Sequence, residues 1–122
     1  MGESVIRNLI GNQPRAMEQP EDPVFGLRQE AGYTIMLDLQ LYNGRCVALP
    51  YAYLTSINFD RTSGLKLKYT THEVTITGRN LDSIYSGLRY HRVEFLKEGN
   101  ERYDERPEAE PFIVRMEVRE LV

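Results

Sequence analysis

The chain has 122 residues, 41% hydrophobic and 27% charged, with a net charge of −3. That is the size and composition of one globular domain, which buries roughly two thirds of its unfolded surface and folds without staples. No apolar run approaches the roughly 18 residues of a membrane-spanning helix, and Cys46 is the single cysteine, which excludes an internal disulfide or a thiolate zinc cluster and fits a reducing, cytoplasmic setting.

Residues 1–32 read as an N-terminal helix followed by a loose arm. Ser4 is placed to cap a short helix through Val5, Ile6, Leu9 and Ile10, with Gly11 as its stop. The next stretch, to Pro23, is rich in proline, which lacks the N–H donor that a helix interior or central strand needs. The early Glu3 and the short apolar patch do not make a secretory leader.

The β-rich core is expected over residues 33–98. In 33–42, Ile35, Leu37, Leu39 and Leu41 alternate with polar residues, the period of a half-buried strand. Asn43-Gly44 then favours a two-residue hairpin turn. In that register Leu41 pairs with Cys46 and Leu39 with Ala48, which makes Cys46 a small core residue. Pro50 demands an edge or a bend, with Tyr51 and Tyr53 on one side beyond it. Ile57 and Phe59 form the next strand. Residues 60–64 are a turn, and Leu65, Leu67 and Tyr69 return on one face against Lys66 and Lys68. Val74 and Ile76 make a further strand ending at Gly78. Leu81, Ile84, Tyr85 and Leu88 have helical spacing, so a helix is expected over 81–90 with Asn80 or Asp82 as its cap. Val93 and Phe95 open another strand.

Residues 99–111 are a charged linker, and residues 112–122 hold a final strand in which Phe112, Val114, Met116 and Val118 alternate with charged residues. The fold class expected is mainly β: a small antiparallel barrel or curled sheet of about seven strands with one or two short helices. The last strand has two ways to satisfy its backbone, on its own sheet or on a neighbouring chain.

No catalytic or metal constellation is legible. His72 sits in a turn beside Glu73. His91 and Glu94 lack a third ligand, and the helix gives way to strand between them. Residues 33–98 carry eight basic and six acidic groups, and both flanks are acidic; this is not the basic footprint of a nucleic-acid binder. Arginine outnumbers lysine twelve to three, a ratio that interfaces favour. The chain has eight tyrosines. Tyr42, Tyr51 and Tyr53 flank one hairpin, and tyrosine is enriched at protein interfaces.

The run Ile76-Thr77-Gly78-Arg79-Asn80-Leu81-Asp82-Ser83-Ile84 resembles the second Sm motif of Sm-like proteins: a strand, Gly-x-Asn, then apolar residues three apart. Sm-like proteins are small, strongly bent β-barrels that form rings and typically bind RNA. The resemblance therefore implies a strand over 81–90 and a nucleotide-binding loop at Gly78, Arg79 and Asn80. Thr77 stands where that family usually has arginine.

The leading expectation is a non-enzymatic interaction or assembly module that self-associates through Tyr42, Tyr51, Tyr53, Val114, Met116 and Val118, with no cofactor and no metal. An Sm-like RNA-binding protein is the second reading. A small-ligand or enzymatic site at a barrel mouth, using Arg89, His91 or Arg92, is the third.

Overall fold

The computed structural model of the chain describes residues 23–100 and 108–122. The expected N-terminal helix and most of the arm and of the charged linker lie outside these residues. In chain order the elements are β1 (Phe25–Leu27), β2 (Met36–Gln40), β3 (Cys46–Pro50), a 3-10 turn (Tyr51–Tyr53), β4 (Leu54–Asp60), β5 (Gly64–Tyr69), β6 (His72–Arg79), α1 (Asp82–Arg89), β7 (Val93–Lys97) and β8 (Phe112–Glu120).

The mainly β expectation holds, as two four-stranded sheets and not as one closed barrel. The first sheet has the order β1-β7-β2-β3 and the second β4-β5-β6-β8. Every pairing is antiparallel except β2 with β7. Their inner faces share one core: Leu37, Leu39, Leu49 and Leu96 from the first sheet, and Leu65, Leu67, Val74, Ile76 and Met116 from the second. Helix α1 adds Ile84 and Leu88, and residues 82–89 thus follow the helical spacing where the Sm resemblance implies strand.

The β2–β3 hairpin corrects the expected register. Leu39 pairs with Val47 and Gln40 with Cys46. The loop is therefore Tyr42-Asn43-Gly44, closed by Leu41 N–H to Arg45 C=O at 2.8 Å, with Gly44 at φ +96°. A three-residue hairpin loop needs a left-handed residue at its third position, which glycine adopts without strain. The shift by one residue turns every β3 side chain over. Val47 and Leu49 face the core, whereas Cys46 and Ala48 are exposed. Ile35 precedes β2 and is also exposed, contrary to its inward expectation.

The C-terminal strand docks on its own chain. β8 pairs with β6 from His72–Glu120 to Arg79–Phe112, with a bulge between Thr77 and Gly78. A Cβ on Gly78 would lie 2.0 Å from the Phe112 carbonyl oxygen, so the glycine is what lets β8 approach there. Asn80 does not cap α1; Leu81 occupies that position. Asn80 adopts φ +54° and its side-chain amide donates to the carbonyls of Glu108 and Glu110.

Candidate interaction surface

The three tyrosines of the hairpin do not form one cluster. Tyr42 is at the loop, with its hydroxyl accepting from the Asn100 amide at 3.2 Å. Tyr51 and Tyr53 lie beyond the other end of β3, and five strand residues span about 17 Å. The 3-10 turn also rotates Tyr51 and Tyr53 apart: Tyr51 is 3% exposed and Tyr53 is 55% exposed. Of the β8 candidates, Met116 is buried and Val114 and Val118 are half-buried against the core.

What the fold does gather is a set around His91. The His91 ring stacks on Tyr51 with centroids 4.5 Å apart, and Tyr33 meets it edge-on at 5.8 Å. His91 has φ +56°, a left-handed conformation unusual for a residue with a side chain. Two backbone bonds hold it there: its N–H donates to Leu88 C=O at 3.1 Å, and its C=O accepts from Thr34 N–H at 2.9 Å. Tyr51 is anchored by its hydroxyl, which donates to Val93 C=O at 2.8 Å, and by its N–H, which donates to Ile35 C=O at 3.0 Å. Burial pushes the Tyr51 hydroxyl well above its ordinary ionisation range, and the neighbouring Tyr69 adds to the shift.

The residues proposed for a catalytic mouth diverge. The Arg92 guanidinium is spent on backbone carbonyls, donating to Gly32 at 2.8 Å, Glu30 at 3.0 Å and Arg28 at 2.5 Å, and so clamps the loop before β2. Arg89 lies over the rings of Tyr85 and Tyr90. His91 faces aromatic rings. Among the described residues there is no group of three His, Cys, Asp or Glu that could hold a metal ion. His72 pairs with the Thr71 hydroxyl at 2.7 Å.

Gly78, Arg79 and Asn80 all serve the docking of β8. Gly78 admits its backbone, Arg79 lies 5.1 Å over the Phe112 ring, and Asn80 holds the segment before it.

The two sheets present different outer surfaces. On the second sheet, Lys66, Lys68, Glu73, Thr75, Thr77, Arg115, Glu117 and Arg119 share the outer face. Glu73 pairs with Arg119 and Arg115 with Glu117. The hydrogen bond from Arg119 leads in holding the Glu73 carboxyl below its usual range. This is a solvated, mixed-charge face. At the Pro50 end of the first sheet, by contrast, Tyr33, Ile35, Met36 and Tyr53 stay exposed. Sequence reading missed Tyr33 and Ile35 because alternation was carried back ahead of Met36, where β2 begins, into residues outside the strand; Met36 itself lies within β2, on the face opposite Leu37. The available signal was Gly32, which at φ +100° marks a turn just before them.

No family model, curated protein or solved structure matches this chain, so its function is read from its own residues. No helix among the described residues is long and apolar enough to cross a membrane.

Proposed function

We propose that the protein is a small, non-enzymatic, cytoplasmic interaction module that acts by associating with copies of itself. One observation carries this reading: the apolar side chains left in water at one end of the first sheet. Ile35 is 78% exposed, Tyr33 71%, Tyr53 55% and Met36 42%. Scattered apolar residues on a surface are ordinary, but several together mark a contact surface. The backbone beneath them is held by the Arg92 clamp and by the Tyr51 and Thr34 bonds, so the surface is already in place before a partner arrives.

Sedimentation velocity of the full chain from about 1 to about 100 µM tests it. A concentration-dependent rise to an oligomer is expected, lost in Ile35→Lys, whose side chain is exposed and therefore tolerated in the monomer. A strict monomer over that range overturns the reading.

A further inference from the structure

Of the asparagines in the chain, only Asn43 is followed by glycine. A carboxamide side chain is open to attack by the nitrogen of the next peptide bond, which closes a five-membered imide. A side chain on the next residue obstructs that approach, so Asn-Gly is the pair in which the reaction meets least hindrance.

The fold adds to this local chemistry. Tyr42, Asn43 and Gly44 are all exposed at the tip of the β2–β3 loop. Among the described residues no atom lies within 4 Å of where a Gly44 Cβ would stand, so water reaches the peptide between Asn43 and Gly44. The Arg45 N–H donates to Asn43 Oδ1 at 2.9 Å. This bond folds the carboxamide back over the Gly44 peptide, as in any Asx turn. It also sets a donor at the oxygen on which negative charge gathers as the Gly44 nitrogen adds to Cγ. The Gly44 N–H donates to Leu41 C=O at 2.9 Å, and this one bond must open first. Two other asparagines are held away from the reaction. Asn58 lies in the β4 ladder opposite Lys66, where extended backbone turns its side chain from the next nitrogen. Asn80 has its amide on the carbonyls of Glu108 and Glu110.

We infer that Asn43 is a self-modification site, which closes on the Gly44 nitrogen, releases ammonia and opens with water to iso-aspartate, loosening the loop from β8. In the first step the bond from Gly44 nitrogen to Cγ forms and the bond from Cγ to Nδ2 breaks. The proton from the Gly44 nitrogen leaves with the ammonia. In the second step water adds to an imide carbonyl. Breaking the new bond gives aspartate; breaking the original peptide bond gives iso-aspartate, in which the main chain runs through Cβ and Cγ. This inference is independent of the self-association proposed above.

Iso-aspartate changes the contact between the sheets. The main chain becomes one atom longer inside a loop closed by Leu41 and Arg45, and the carboxamide that held the Arg45 N–H is gone. A new carboxylate stands one residue from Tyr42, whose N–H is bound by Glu98, the residue that also accepts the Met116 N–H of β8. Lengthening and like-charge repulsion both act against that tie.

The full-length chain is incubated in mildly alkaline buffer, folded and in urea at the same pH, and digested for mass spectrometry. The folded chain is expected to exchange the Asn43 amide for a carboxyl within about thirtyfold of the unfolded rate, because one exposed loop bond opens at little cost. Asn58 and Asn80 should stay intact in the folded chain, and Asn43→Gln should remove the product. Labelling by an isoaspartyl methyltransferase should show iso-aspartate at position 43. A wider gap between the two rates, equal conversion at Asn58 or Asn80, or aspartate without iso-aspartate would each overturn the site. The iso-aspartate fraction is expected to unfold at lower urea than Asn43→Asp, which adds the same charge without lengthening the chain. Equal midpoints overturn the loosening of the loop.

Discussion

The Glu98 carboxylate accepts the Met116 backbone N–H at 3.0 Å, and its other oxygen takes the Tyr42 N–H at 2.9 Å. One side chain thereby ties the β2–β3 loop of the first sheet to the edge of β8 in the second. Hydrogen bonds to a charged group contribute about 1.5–3 kcal/mol each when their loss strands a partner. Glu98 is half-buried, so the lower end of that range applies. Glu98→Ala is expected to lower stability by about 2 kcal/mol. Glu98→Gln should lose slightly less, because its amide keeps one acceptor and turns a donor toward the other N–H. Urea unfolding of the two variants checks the order.

Tyr51 and Tyr69 are both buried, but among the described residues only Tyr51 has an acceptor for its hydroxyl, Val93 C=O. Tyr51→Phe is expected to cost about 1–2 kcal/mol by orphaning that bond. Tyr69→Phe removes a hydroxyl that has no hydrogen-bond partner among the described residues, and stability should stay level or rise by up to about 1 kcal/mol. The opposite signs, read from paired urea curves, separate hydrogen bonding from ring packing, which phenylalanine retains.

The same two tyrosines predict a loss of stability in alkali. Burial, the leading cause in both, raises their folded-state ionisation above the ordinary value of 10.0. Above pH 10 the unfolded chain has lost these protons and the folded chain still holds them. Their contribution is therefore complete below pH 10 and falls as the pH rises past it. Unfolding midpoints between about pH 9 and pH 11 should decline, and Tyr51→Phe/Tyr69→Phe should flatten the slope. A parent slope equal to that of the double variant would remove the explanation.

Gly78→Ala sets a methyl group 2.0 Å from the Phe112 carbonyl oxygen, and backbone must move to admit it. A loss of about 2–4 kcal/mol is expected, with faster hydrogen exchange along β8. An alanine variant as stable as the parent would show that close approach is not why glycine stands there.

Cys46 is exposed. It should react with Ellman's reagent in native buffer as completely as in urea. Protection until unfolding would restore the two-residue turn and its inward cysteine.

Several elements were legible in the sequence because only one face of each could be buried. Lys66 and Lys68 force Leu65, Leu67 and Tyr69 inward, and the spacing of Leu81, Ile84 and Leu88 makes a helix that buries them. The candidate site was less legible. Tyr51 and Tyr53 looked equivalent, and the 3-10 turn after Pro50 buried one and exposed the other. Tyr33 and His91 are far apart in the chain, and only the passage of Thr34 beside His91 brings their rings together.

Period-two alternation thus determined the β character of this protein and its buried strand leucines, and the three-to-four-residue spacing of Leu81, Ile84 and Leu88 determined its one described helix. The tertiary structure decided the register of β3. Cys46 with Ala48 and Val47 with Leu49 are both apolar pairs, so polarity alone does not choose between their faces. Packing against Leu37, Leu39 and the second sheet chooses the larger pair, because it fills the core, and turns the smaller pair out to water. The same contacts decided that β8 stays on its own chain, since β6 offers it a full ladder and Glu98 holds its outer edge.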